Sequence, residues 1–280
     1  IQAGKTLTIN SASVTGLDVT GDGTMVMNLG TANFTLTDVA ASVTATATVA
    51  ADTAMHTSAN LGTLVTTVNT GTTLTLLATQ ATGKTMNGAG SVTINTLNGS
   101  AAADLSKITV SGTKLAKVAE NVTFTGDLNG FNVDVAGTKT LTSSAAKLTG
   151  LSVIDSAGNA GITVTDLGAA ALNASNFDIG GALLVKTATS SGANSITLNA
   201  ATNILGATAA TKTIDITETG DTLVATAEQL DALVVTDTAT SNVTVTALGN
   251  ADFDATSFSI AGNLLVQTVA SGGADTITLG

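Results

Sequence analysis

Apolar residues alternate with threonine along most of the chain. Thr6-Leu7-Thr8-Ile9, Phe34-Thr35-Leu36-Thr37, Val122-Thr123-Phe124-Thr125, Ile162-Thr163-Val164-Thr165, Val243-Thr244-Val245-Thr246 and Thr276-Ile277-Thr278-Leu279 all repeat at every second residue. A period of two puts the apolar side chains on one face of a strand, and β-branched Thr suits the pleated, half-buried surface that results. Gly, Asn, Asp and Ser interrupt these runs about every ten residues, as in Thr20-Gly21-Asp22-Gly23 and Asn129-Gly130. The pattern predicts an all-β chain. The segment closest to helix is Thr226–Leu233, whose echoes Ser143–Leu151 and Ser11–Leu17 contain β-branched residues and Gly, so one short turn at most is expected there.

The chain also repeats itself. Residues 167–199 align without a gap to 248–280, an offset of 81, with 17 identities in 33 positions that include Phe177/Phe258, Leu183/Leu264 and Ile196/Ile277. Leu148-x-x-Leu151-x-Val153-x-Asp155 returns as Leu230-x-x-Leu233-x-Val235-x-Asp237. A third echo joins Lys5–Leu17 to Lys139–Leu151 at an offset of 134, which is not a multiple of 81. The clearest repeat units are 140–199 and 222–280, and residues 1–280 read as a single elongated repetitive β region.

Two architectures fit. Tandem immunoglobulin-like β-sandwiches match a repeat of this length, but they centre on Trp or Tyr, and the chain has neither, nor any Pro. An elongated parallel β-solenoid of the β-helix or β-roll kind needs no bulky core, because each coil buries small side chains against its neighbours, and its coil lengths can drift. The solenoid is the expectation, with the sandwiches as the alternative.

Composition then narrows the chemistry. Thr fills about a fifth of the positions, far above ordinary usage. There is no Cys, which removes disulfides, thiolate metal sites and thiol nucleophiles. His56 is the sole histidine and sits in Thr53-Ala54-Met55-His56-Thr57, away from any nucleophile elbow. It reads as a solvated or hydroxyl-bonded loop residue. The net charge is −11 and all nine basic residues are Lys, so nucleic acid is not an expected partner. No apolar run approaches the ~20 residues of a membrane helix. Ile1-Gln2-Ala3-Gly4 has neither Met nor a charged n-region, and a processed product or an excerpt of something longer is expected.

The charge is uneven. Residues 1–140 carry eight acids against six Lys, a balance of −2, and residues 141–280 carry twelve against three, a balance of −9. Asp252 and Asp254 flank Phe253 in the acidic half, and with Asp275 they form the candidate calcium ligands, since a strand that turns both carboxylates one way offers a hard cation its oxygens. The alternative is that they face water. Asp22, Asp221 and Asp237 read as turn formers. Glycoside hydrolysis by paired carboxylates calls for a cleft with aromatic or Arg subsites, and no enzyme is expected. Gly88-Ala89-Gly90 leads into no Gly-Lys-Ser/Thr, which leaves phosphate cradling without support. The Thr-x-Thr units make a hydroxyl ladder of the kind that ice-binding solenoids display, though their irregular spacing speaks against it.

The Thr/Ala/Gly-rich composition, together with Gly272-Gly273-Ala274-Asp275-Thr276-Ile277-Thr278, resembles the repeat regions of bacterial type I-secreted surface proteins, notably S-layer proteins and large adhesins with RTX-type β-rolls. The stretch keeps the leading glycines, the Asp and the apolar residue of the RTX nonapeptide but lacks its third glycine. Its counterpart, Ser191-Gly192-Ala193-Asn194-Ser195-Ile196, has lost the Asp. The resemblance implies secretion without disulfides, a place at the bacterial cell surface, and calcium held between turns. The expected function is an extracellular structural protein that assembles with copies of itself into a lattice or filament, with cell-surface polysaccharide as an anchor and no membrane insertion. An adhesin stalk is the alternative, and an ice- or glycan-binding solenoid ranks below it.

Overall fold

The computed structural model describes residues 1–36, 39–97, 100–168, 170–189, 193–248 and 253–268, and the backbone of 277–279. The chain is all-β with 6% helix and winds as a parallel β-solenoid of about 13 turns. It divides into two compact units, Ile1–Asp134 and Val135–Gly280.

In the first unit Thr6–Asn10, Thr24–Asn28, Thr44–Val49, Val65–Val68 and Met86–Gly88 form one parallel sheet in that order. Thr53–Ala54, Thr73–Leu76, Ser91–Ile94 and Lys114–Val118 build a second. Thr6 lies opposite Thr24, Thr24 opposite Thr44 and Thr46 opposite Val65, so no two of these successive coils have the same length. The strands stay in register because the backbone ladder fixes them, and the extra residues go into corners. Every second side chain points inward. Met27, Ala47, Thr66 and Met86 stack as one fully buried column. Ala47 keeps that interior narrow, and the flexible Met side chains fill the gaps beside it.

The second unit has the same plan with longer coils. One sheet runs Thr140–Ser144, Gly161–Leu167, Ala182–Thr187, Thr211–Ile216, Val234–Asp237 and Phe258–Ser259. Another runs Ser195–Thr197, Thr222–Thr226, Asn242–Leu248 and Leu264–Thr268. Thr140 faces Gly161 and Ile162 faces Leu183, two steps of equal length, whereas Ala182 faces Thr211 across a much longer coil. Phe fills the core in both units: Phe34, Phe124 and Phe131 are fully buried in the first, Phe177 and Phe253 in the second, and Phe258 meets Phe253 edge-on at 5.7 Å.

The 81-residue repeat is visible in the pairing. Gly161–Leu167 slips register between Val164 and Leu167, where Asp166 takes a positive φ of 59°. Asn242–Leu248 slips identically between Val245 and Leu248, where Ala247 takes a φ of 53°. Val153 opposite Phe177 returns as Val235 opposite Phe258. Yet the two copies lie in different sheets. Leu141 stacks on Ile162, then Leu183, then Lys212, and its copy Leu223 lies one strand further on, in the neighbouring sheet. The repeat is therefore three coils plus one further side of the coil. A sequence period that is not a whole number of coils is the physical reason why the offsets looked irregular.

Candidate functional site

One local motif organises the corners: a strand, a single helical turn and then a left-handed residue. It occurs as Thr6–Asn10 with the 3-10 turn Ser11–Ser13 and Gly16, and as Thr73–Leu76 with Ala78–Ala81 and Gly83. It recurs as Thr140–Ser144 with Ala145–Leu148 and Gly150, and as Thr222–Thr226 with Ala227–Leu230 and Ala232. The short turns at 11–13, 145–148 and 227–230 match expectation. The copy at 73–83 was not foreseen. Its first residue, Thr73, lies midway along the chain between Thr6 and Thr140, so the offset of 134 is two equal steps.

Side chains at these turns tie one coil to the next. Gln80 accepts the Leu77 N–H at 2.9 Å and donates to His56 O and Ala59 O, each at 2.8 Å. Gln229 repeats this, accepting from Thr226 N and donating to Asn199 O at 2.9 Å. Past the turn, Thr82 Oγ1, Thr149 Oγ1 and Asp231 Oδ1 accept the N–H of Asp104, Asn173 and Asp254. Each of those three then closes its own turn, accepting from Ser106, Ser175 and Thr256 respectively.

That chain of bonds explains Asp254. Its Oδ1 accepts the Thr256 N–H at 2.8 Å, and hydrogen bonds from the Thr256 side chain and backbone hold its pKa below the ordinary carboxylate value. Asp254 is an exposed turn former in the position that Asn173 fills without a charge. Asp252 and Asp275 lie outside the described residues, as do Gly272–Thr276 of the nonapeptide-like stretch. No group of three or more His, Cys, Asp or Glu able to hold a metal occurs among the described residues. Asp22 is exposed. Asp221 is fully buried; its Oδ1 accepts the Asn194 N–H at 2.8 Å and its Oδ2 has no partner. His56 is exposed, and its Nδ1 accepts the Ser58 N–H at 3.2 Å.

The most heavily bonded carboxylate belongs to Asp155, read from sequence only as part of a repeat. It accepts the N–H of Ala157 at 3.0 Å, Gly158 at 2.7 Å, Ala160 at 2.5 Å and Asn159, and across the coil that of Gly180 at 3.3 Å. Partial burial raises its pKa, but the N–H donors of Ala160, Asn159, Ala157 and Gly158 outweigh it and bring the group down to about 2. Asp237, its repeat partner, accepts Ser241 N and Ala261 N, each at 3.0 Å. The two share a signal that was present in the sequence, an Asp at the same place in both repeats.

Three surface features remain. A hollow of about 470 Å³ lies beside the turn Ala227–Leu230, lined by Thr202, Asn203, Ile204, Leu205 and Gln229, with Glu228 as its single ionisable group. Each sheet ends in strands bonded on one side only among the described residues, and Thr6–Asn10 in the first unit and Leu264–Thr268 in the second are two of these. Their inward residues are uncovered: Leu7 is 38% exposed, and Leu264 and Val266 are half-buried, whereas their partners Val243 and Val245 are fully buried. Finally, the outward side chains of the first sheet fall into columns. Thr6, Thr24 and Thr44 form one, Thr8, Val26, Thr46 and Val65 the next, and Asn10, Asn28, Thr48, Thr67 and Asn87 the third. None of them is charged. Among the described residues no helix is long and apolar enough to cross a membrane. Compared with protein families, curated proteins and solved structures, the chain matches none.

Proposed function

We propose that the chain is an extracellular structural protein of the bacterial surface that assembles with copies of itself into a lattice or filament. The observation that carries this reading is the parallel β-solenoid of about 13 turns, in which each coil hydrogen-bonds to the next and small side chains stack in register, as Met27, Ala47, Thr66 and Met86 do. A ladder of this kind grows by adding a coil at an unpaired edge, so the bonding that joins coils within one copy also suits the joining of copies end to end. The resemblance in composition to S-layer and RTX-type proteins supports the same reading. Calcium belongs to it as a counter-ion for the acidic second half, whose balance is −9.

The test is electron microscopy of the purified chain with calcium and then with a chelator. Ordered sheets or filaments are expected with calcium, and Leu7→Lys or Val266→Lys, which put a charge on the inward side of the outermost described strands, leave folded single particles. Compact single particles of the unmodified chain in both conditions contradict the proposal.

A further inference from the structure

We infer that the outer face of the first sheet in the Ile1–Asp134 unit binds ice. The inference does not depend on self-assembly. Along the sequence the threonines of this face are irregularly spaced, because the coils are of unequal length. The ladder removes that irregularity, since corners absorb the differences and Thr8, Val26, Thr46 and Val65 come into register. The side chains then repeat at ~4.8 Å from strand to strand and at ~6.6 Å along each strand, the two fixed spacings of a parallel sheet. A surface with two constant periods is complementary to a ligand with two constant periods, and both are close to oxygen repeats of ordinary ice.

The chemistry of the face selects among periodic ligands. It carries no charge, which removes the anchor for a mineral, a lipid headgroup or a polyanion. It carries no aromatic residue, so the ring faces on which sugars stack are missing, as are the aromatic anchors that mark protein interfaces. What it offers are Thr and Val methyl groups and Thr and Asn polar groups. The β-branched residues are stiff at χ1, so the array is ordered before the ligand arrives and binding costs little entropy. A hydrogen bond within the third column braces it further, with Thr67 Oγ1 donating to Asn87 Oδ1 at 3.0 Å. The corresponding outer face in the second unit lacks this uniformity: Leu184 and Lys186 interrupt it.

The experiment is single-crystal ice growth in solutions of the whole chain, with Thr46→Lys at the centre of the array and Thr163→Lys on the second unit as the matched control. Circular dichroism establishes that each variant is folded. Faceted crystals and a gap between melting and growth temperatures are expected for the unmodified chain and for Thr163→Lys, and loss of both for Thr46→Lys. Rounded crystals that grow as in buffer alone, with the chain folded, overturn the inference. So does equal loss from both substitutions, or retention by crystalline cellulose or chitin with no effect on ice.

Discussion

Gly21 and Gly88 in the first unit and Asp155 and Asp237 in the second stand at the same place in the repeated corner, counted from Thr6, Thr73, Thr140 and Thr222 at the head of each copy. They close it in opposite ways. Gly88 has a φ of +105°, and a Cβ there would lie 2.3 Å from Val68 O; Gly21 has a φ of +107° and presses likewise on Ile1. The backbones of successive coils touch because no side chain separates them. In the second unit the coils are longer, as the pairings of Thr140 with Gly161 and Ala182 with Thr211 show against those of Thr6 with Thr24 and Thr24 with Thr44. A carboxylate spans the wider corner there by collecting backbone N–H groups. The lesson is that the acidic excess of residues 141–280 is partly architectural. Asp155, Asp231, Asp237 and Asp254 all hold backbone N–H groups; the first unit has Asp104 in the place of Asp254, but Thr82 in the place of Asp231 and glycine in the place of Asp155 and Asp237.

Substitutions at these corners break the comparison most sharply. Gly88→Ala meets both the left-handed backbone and the Val68 carbonyl, and a loss of about 3 kcal/mol is expected in urea unfolding of the first unit. Asp155→Ala strands several N–H groups and removes a charged acceptor, for an expected loss of about 2 kcal/mol, read from hydrogen exchange at Ala157–Ala160 and Gly180.

Acid separates the units more gently. The pKa of Asp155 is depressed when folded, from 3.8 to about 2. Its contribution is therefore complete above pH 3.8 and lost as pH falls through about 2. Hydrogen exchange at this corner is expected to rise over that window, and Asp155→Asn to flatten the dependence. The smallest expected change is a gain. Thr66 is fully buried between Ala47 and Met86, and its Oγ1 has no partner. Thr66→Val removes an unsatisfied hydroxyl at nearly constant volume and should raise stability by about 1 kcal/mol in thermal melts.

These corners also mark where sequence reading stops. Thr-Leu-Thr alternation announced strands, and an offset that was no multiple of 81 announced drifting coils, so the parallel solenoid was legible. The copy at Thr73–Gly83 was not, because it shares only its Thr-Leu-Thr and Thr-Gly ends and one alanine, Ala78, with Thr140–Gly150. The columns of the outer face were hidden for a different reason. Coils of unequal length leave no constant period in the sequence, and only hydrogen bonding between coils brings Thr8 and Thr46 into line. Asp254 was visible as a carboxylate, but an Asp that ligates and an Asp that closes a turn are the same letter. Its counterpart Asn173, which needs no charge to do the same job, was the available clue.

The winding itself is open to a direct test, because the chain has no Cys and takes pairs of spin labels cleanly. Thr163 lies opposite Leu184 on the next coil, whereas Thr163 and Thr244, identical by repeat, occupy different sheets. Strong dipolar broadening between labels at 163 and 184, with Cα atoms ~4.8 Å apart, and much weaker broadening between 163 and 244 is the predicted result. Broadening in the second pair and not in the first would mean that the repeats stack on one another as whole units, and would contradict a coil that advances by one side at each repeat.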